Sequence, residues 1–212
     1  CCVIAALAWL GRSGYLLTID AFTNFVSAYR RFHLGGGCRS RKIHPIDQTI
    51  SYPMQTPILP PGVQIRPTLV SDIPAVLDVF DAARAFMRRS GNLSQWGGGY
   101  PAEADVRRDI ACGWSRVLTL DGRVAATFCM MTAPEPTYNI IDGAWPDDEP
   151  YFTLHRVASD GSVPGVFRMA VLYTLAHSNR IRVDTHLDNA PMLAAIAREG
   201  FVRCGVATMT DG

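Results

Sequence analysis

A loop broken by glycine and proline joins a predicted strand to a predicted helix in the second half of the chain. Residues 151–159 are rich in the β-branched and aromatic types that favour strands, and residues 160–165 contain two glycines and a proline. From Val166 to Ser178, apolar residues recur at helical spacing. Such a loop gathers backbone N–H groups at the positive end of a helix dipole. The pattern therefore predicts an anion site suited to a phosphate-bearing ligand.

A second strand and helix follow at once. Residues 181–185 form a short apolar strand, and Asp188-Asn189 supplies an N-cap for a helix with Pro191 in its first turn. Two strands joined through a helix should be parallel neighbours, because such crossovers are right-handed. Ligands of these units lie beyond the carboxyl ends of the strands. We therefore expect residues 160–167, residues 184–186 and Asn189 to surround one cleft.

The order of residues in this region resembles the GNAT superfamily of acyl-CoA-dependent N-acyltransferases. The resemblance is carried by His155-Arg-Val-Ala-Ser, by Ile181-Arg-Val-Asp-Thr-His-Leu-Asp-Asn, and by Gly200-Phe, and it is greatest to bacterial members. It covers residues 63–212. It implies an α/β fold with a mixed, mostly antiparallel sheet, a parallel central strand pair and helices on both faces. It also implies an enzyme that moves an acetyl group from acetyl-CoA, as cosubstrate, to a primary amine of a small molecule or peptide by direct attack in a ternary complex.

The resemblance further implies that acetyl-CoA is held mainly by the main chain. The residues concerned follow the first strand, open the first helix and cap the second: Val157, Ala158, Ser159, Ser162, Gly165, Val166, Phe167, Arg168 and Asn189. Two positions depart from the family pattern. Pro164 has no N–H to give, and Phe167 stands where the backbone should approach phosphate. We therefore expect a weakened affinity for CoA.

Catalytic chemistry requires a base that leaves the amine neutral for attack. His155 is the candidate, because an imidazole titrates near neutrality. His155 also lies two residues before Val157, which should put the two side chains on one face of the strand. A purely structural histidine remains the alternative. The resemblance implies a tyrosine in or after the last helix that acts as general acid toward the departing CoA thiolate. Residues 195–201 contain no tyrosine, so solvent would protonate that thiolate.

Acceptor recognition is predicted on the loop at residues 86–100, where Trp96 and Tyr100 flank three glycines. His186, at the end of the second strand, is a further substrate candidate. Trp96 could equally anchor the loop to the core, and His186 could simply hold its turn.

Composition sets the outer bounds. The chain has 212 residues, 48% of them hydrophobic, enough for one full domain with an appendage. Residues 63–212 carry fourteen basic and seventeen acidic side chains, a poor match for nucleic acid. The six cysteines show no zinc spacing, so we expect no metal and a reducing, cytoplasmic location. No membrane partner is expected, and a homodimer is left open.

Residues 1–62 are predicted to lie outside the catalytic fold, as an extension ending in a proline-rich linker. The apolar run at residues 1–10 is interrupted well before the ~20 residues that a membrane span needs. Residues 133–150 are predicted to be a surface excursion. The chain stops one strand after its last helix, so we expect the final strand of the domain to be missing and a sheet edge to be unpaired. A non-catalytic acyl-CoA sensor and a nucleotide-binding module are the rival functions.

Overall fold

A computed structural model describes residues 2–8, 58–132 and 135–208, which form one mixed sheet with helices packed on it. In chain order the elements are β1 (Cys2–Ala8), β2 (Val63–Pro67), α1 (Ile73–Arg89), α2 (Glu103–Ala111), β3 (Ser115–Leu120), β4 (Arg123–Met131), β5 (Ile141–Gly143), β6 (Phe152–Ser159), α3 (Val166–Leu175), β7 (Arg180–His186), α4 (Ala190–Arg198) and β8 (Val202–Ala207). The strand order is β2-β3-β4-β6-β7-β1-β8-β5.

Helices cover both faces of the sheet because each has one apolar stripe to bury. On one face, Val76 and Phe80 of α1 pack with Val106 of α2 against Val117 and other sheet residues. On the opposite face, residues of α3 and α4 pack on the strands, in a cluster that includes Ala170, Ile196, Leu154, Ile181 and Val183. The predicted fold class is confirmed, since the sheet is mostly antiparallel and contains one parallel pair.

That parallel pair, β6 and β7, is joined only at its start. The paired residues are Phe152 with Ile181 and Thr153 with Arg182. Beyond them β6 continues to Ser159 and β7 to His186 without pairing with each other. On its other side β6 remains paired with β4 as far as Ser159. The two strands therefore part toward their carboxyl ends, and one backbone edge of β6 is left open to a ligand.

The strand β1 contradicts part of the prediction for the N-terminal region. Cys2–Ala8 pairs antiparallel with β7 on one side and with β8 on the other. Val3, Ile4, Ala5 and Ala6 are buried, Ile4 completely. The prediction that residues 1–62 lie outside the fold is thus wrong for this strand. Of the rest of the predicted extension, residues 9–57 lie outside the described residues.

The same strand alters the end of the sheet. We expected an unpaired edge at the last strand, but β8 pairs with β1 on one side and with β5 on the other. That expectation is wrong because the position beside β8 is taken by a segment from far upstream in the chain. Within residues 2–8, 58–132 and 135–208, no helix has both the length and the apolar composition required to cross a membrane.

Candidate active site

A cavity of about 1110 Å³ opens where β6 and β7 part. Its lining includes the end of β6, the end of β7, the first residues of α3 and the loop between α1 and α2. Predicted site residues from every group line it, namely His155, Val157, Ala158, Ser159, Val166, Phe167, Asn189, Trp96, Tyr100 and His186. Ser162, Gly165 and Arg168 lie outside this lining. The fold therefore gathers most of the predicted residues around one space.

A β-bulge in β6 sets which side chains face the cavity. Arg156 has a positive φ of 52°, and the register between β4 and β6 shifts at this point. As a result Leu154 and Val157, three residues apart, both pack toward α3 and α4. His155 and Arg156 instead reach residues on the other face. The prediction that His155 shares a face with Val157 is wrong, because the extra residue of the bulge breaks the two-residue alternation.

His155 belongs to a hydrogen-bonded cluster with Asp184 and Tyr138. Its Nε2 lies 3.0 Å from Asp184 Oδ1, and the Tyr138 hydroxyl donates to the same oxygen over 2.6 Å. The Tyr138 oxygen is also 3.4 Å from His155 Nε2. The histidine is thus fixed by a carboxylate that is itself fixed by a phenol, the arrangement that orients a general base.

The protonation states of this cluster follow from burial and charge. Burial by itself lowers the pKa of His155, but the charge and hydrogen bond of Asp184, with the charge of Glu135, outweigh it and raise that pKa. Burial raises the pKa of Asp184, yet the contacts with His155 and Tyr138 lower it overall. Burial and the neighbouring carboxylates raise the pKa of Tyr138 well above its usual value. Asp184 therefore stays charged, Tyr138 stays a phenol, and His155 becomes neutral only above its raised pKa.

Tyr138 was missed by the sequence reasoning, because it lies in the proline-rich stretch at 133–150. Most described residues of this stretch are exposed, as predicted for a surface excursion, but Tyr138 is buried beneath it. It contains the short 3-10 turn Pro136–Asn139 and β5, and Tyr138 is only 2% exposed. The indole of Trp145 donates to the Tyr138 carbonyl over 3.0 Å. The one local signal was a concentration of aromatic residues at 138, 145 and 151.

A second buried cluster surrounds Arg156, the neighbour of His155. Its Nε donates to the Tyr100 hydroxyl over 2.9 Å, and its Nη1 donates to Asp109 Oδ2 over 2.8 Å. The thiol of Cys129 donates to the same carboxylate oxygen. Tyr100, predicted as an acceptor contact, is therefore tied to the strand that carries the candidate base.

The loop between α1 and α2 is held against the turn that follows β7. Gln95 Oε1 accepts from the side-chain amides of both Asn92 and Asn189, at 2.7 and 2.8 Å. Ser94 Oγ lies 3.3 Å from His186 Nε2, and His186 Nδ1 accepts from the Asp188 amide. These contacts place His186 and the loop together on one wall of the cavity, while also holding the turn.

Two predicted residues of this wall have structural duties as well. Asn189 accepts from the Met192 amide over 3.2 Å, so the predicted N-cap of α4 is confirmed. Trp96 packs edge-to-face on Phe80, with 5.5 Å between ring centroids, while it also lines the cavity. The anchoring of Trp96 to the core is confirmed, and its contact with an acceptor stays a prediction.

The start of α3 lacks a side-chain cap. Its N-cap residue is Gly165, with a φ of 74°, and among the described residues no side chain accepts from the first amides. Those N–H groups are free to meet an anion. By contrast, the amide and hydroxyl of Ser162 both donate to Asp160 Oδ1, at 2.8 and 2.6 Å. Of the predicted phosphate-binding amides, the amide of Ser162 is therefore already occupied.

The charged and aromatic side chains near the loop at residues 160–165 already contact other protein groups. Arg123, at the start of β4, pairs with Asp160 and donates to Ser162 Oγ over 2.9 Å. Arg168 reaches Glu199 at 3.0 Å. The Phe167 ring is buried and packs on Phe201, with 6.0 Å between centroids. The expected crowding of phosphate by this ring is thus wrong, because the side chain belongs to the core.

Comparisons with known proteins agree with this geometry. No protein-family model matches the chain, and no curated protein matches it. Among solved structures, a GNAT-family acetyltransferase from Streptococcus agalactiae is 27% identical, with a TM-score of 0.65, over 71% of this chain and 91% of that one. A GNAT-family acetyltransferase from Listeria monocytogenes is 16% identical, with a TM-score of 0.51, over 69% of this chain and 95% of that one, and shows likeness of fold alone. This chain has the fold of the GNAT superfamily of N-acetyltransferases.

Proposed function

We propose that this protein is an N-acetyltransferase that moves an acetyl group from acetyl-CoA to a primary amine by direct attack in a ternary complex. The observation that supports it best is the parting of β6 from β7 beside the cavity that holds His155. A thioester lying along the open edge of β6 would meet the candidate base there. The acetyltransferase fold neighbours support the same chemistry.

The binding roles fall to backbone groups. Residues 157–159 lie beyond the last contact with β7, so their N–H and C=O groups on that side can bond an extended pantetheine arm as a further strand would. The uncapped amides of residues 165–168 suit the diphosphate. A backbone N–H of β6 directed at the thioester carbonyl would stabilise the charge that develops on its oxygen.

The proton transfers are assigned to His155. The amine nitrogen attacks the carbonyl carbon, the carbon–sulfur bond breaks, and CoA leaves as a thiolate. His155, in its neutral form, takes the proton that the nitrogen loses, while Asp184 holds the ring and stabilises the imidazolium. Tyr138 keeps Asp184 in place; its high pKa makes it a poor donor to the thiolate, which solvent can protonate.

The proposal also covers the bounds of the catalytic domain, its cellular compartment and its partners. We infer that β1 and residues 63–208 form the catalytic domain. The described cysteines Cys112, Cys129 and Cys204 are free thiols, which suits a reducing cytoplasm. The acidic excess of residues 63–212 does not favour nucleic acid.

The proposal is tested by thiol release from acetyl-CoA with a broad panel of amines. His155→Ala should lower the rate and remove the pH dependence near neutrality, whereas the exposed His177 serves as the control in His177→Ala. Calorimetric binding of CoA without thiol release by any amine would point to the sensor instead. Competition of ATP or NAD with CoA would point to a nucleotide-binding module.

A further inference from the structure

The segment that supplies Tyr138 reaches the strand of Asp184 through side chains. Residues 135–151, called here the covering segment, lie over one end of the sheet, where Tyr138 packs in a buried cluster with Ile4 of β1 and Ala207 of β8. Within the segment, β5 pairs with β8. The strand β7, which carries Asp184, has β6 and β1 as its neighbours in the sheet. Backbone pairing therefore fixes the covering segment to β8, and its position over β7 depends on other contacts.

Arg182 of β7 supplies those contacts. Its side chain is buried, and its guanidinium carbon lies 3.9 Å from the centre of the Trp145 ring and 3.8 Å from that of Tyr151. Its Nη2 also donates to the Asp147 carbonyl over 2.8 Å, while Arg180 pairs with the Asp147 carboxylate at 3.0 Å. A planar guanidinium that contacts two aromatic faces and a carbonyl is held in one orientation. Arg182 thus fixes the second half of the covering segment on β7.

Trp145 passes this constraint on to Tyr138. Its indole N–H donates to the Tyr138 carbonyl over 3.0 Å, and the two ring centres are 5.2 Å apart. The Tyr138 hydroxyl then donates to Asp184, which is two residues from Arg182 and so on the same face of β7. The contacts form a closed circuit that begins and ends on β7. The distance between the phenol and the carboxylate is therefore set by Arg182 and Trp145.

We propose that Arg182 and Trp145 are positioning residues for the candidate base. They hold Tyr138 so that its hydroxyl donates to Asp184, and Asp184 in turn orients His155. This inference rests on the proposed acetyl transfer and adds to it two residues that lie outside the cavity lining. Neither residue touches the substrate or moves a proton.

The effect on the base follows from the groups around it. The charged or titratable groups near His155 are Asp184 of β7, Tyr138 and Glu135 of the covering segment, Arg156 of β6, and Cys129 at the paired position of β4. Burial raises the pKa of Cys129, so its thiol stays neutral. One oxygen of Asp184 contacts both His155 Nε2 and the Tyr138 hydroxyl. Without the phenol, that oxygen would serve the imidazolium alone, which favours the protonated ring and raises the pKa of His155.

The first test compares Trp145→Phe with Tyr138→Phe. Trp145→Phe keeps an aromatic ring but loses the N–H that holds the Tyr138 carbonyl. We expect kcat/KM to fall about 2- to 10-fold, as for the loss of one hydrogen bond, with the KM for acetyl-CoA unchanged. The acid limb of the profile should move to higher pH in both variants, and the double variant should show no further shift. Trp114→Phe, the same change outside the cavity lining, should leave the profile unmoved.

The second test follows the His155 ring signals by NMR titration and needs no turnover. Trp145→Phe and Arg182→Lys, which keeps the charge but loses the planar face, should both raise the pKa of His155, and thermal unfolding shows that each variant is folded. A lower Tm with an unmoved pKa would reduce both residues to a structural role and overturn the inference, leaving acetyl transfer intact. Absence of thiol release from the parent protein with any amine would count against the proposed function, whereas the titration would still decide whether Arg182 and Trp145 act on His155.

Discussion

Replacing Ile4 by alanine tests whether β1 is an integral strand of the domain. Ile4 is 0% exposed and packs in one cluster with Tyr138 and Ala207. Truncating a fully buried isoleucine to alanine costs about 2–5 kcal/mol, through lost apolar contact and the cavity left behind. Domains are stable by only about 5–15 kcal/mol, so this is a large fraction of the total. For a chain of this size, about 2–4 °C are lost per kcal/mol, which predicts a Tm lower by about 4–20 °C.

The control is Ile58→Ala, the same chemical change at another position in the first 62 residues. Ile58 is 100% exposed, so its truncation should change stability by less than about 0.5 kcal/mol. Both variants are measured by scanning calorimetry and by urea unfolding, where the midpoint should fall and the slope should stay constant for Ile4→Ala. If the two variants unfold together with the parent protein, β1 contributes nothing to the sheet and its assignment is refuted.

Three further predictions concern the candidate site. Burial lowers the pKa of His155, and Asp184 raises it with greater effect. Asp184→Asn should therefore shift the acid limb of the kcat/KM profile to lower pH, because the neutral base forms at lower pH; an unmoved limb would remove His155 as the titrating group. Gly165→Asp should weaken CoA binding, measured by calorimetry, far more than Gly165→Asn does. The two side chains have the same shape and similar strain at a φ of 74°, but only aspartate brings a negative charge to the diphosphate. Equal affinities of the two variants would place the diphosphate elsewhere. Arg123→Gln should weaken CoA binding and Asp160→Asn should strengthen it, each by about 2- to 5-fold, as is typical of exposed ion pairs. Both effects should become smaller at high salt. An affinity change of the same sign in both variants would exclude a charge effect.

Local chemistry in the sequence was sufficient for the frame of the site. Asn189 was predicted to cap a helix and does so through the Met192 amide. The turn at Asp121 and Gly122 has positive φ at both residues, 48° and 83°, as the two-residue hairpin requires. Gly165 directly precedes α3, whose first backbone N–H groups have no side-chain cap among the described residues. Caps, turns and periodicity depend on residues within a few positions of one another, so they can be recognised along the chain.

Tertiary structure decided which side chains meet. No glycine or other local signal marks the bulge at Arg156, since the extra residue arises from the register with β4. Tyr138 reaches Asp184 across 46 residues, out of a stretch whose prolines suggested exposure. An apolar run such as Cys2–Ala8 could equally be read as a buried helix or a leader, and only its pairing with β7 and β8 makes it a strand. The sequence thus determined where an anion and a base could lie, whereas the orientation of His155, its partners and the completion of the sheet depend on contacts between distant segments.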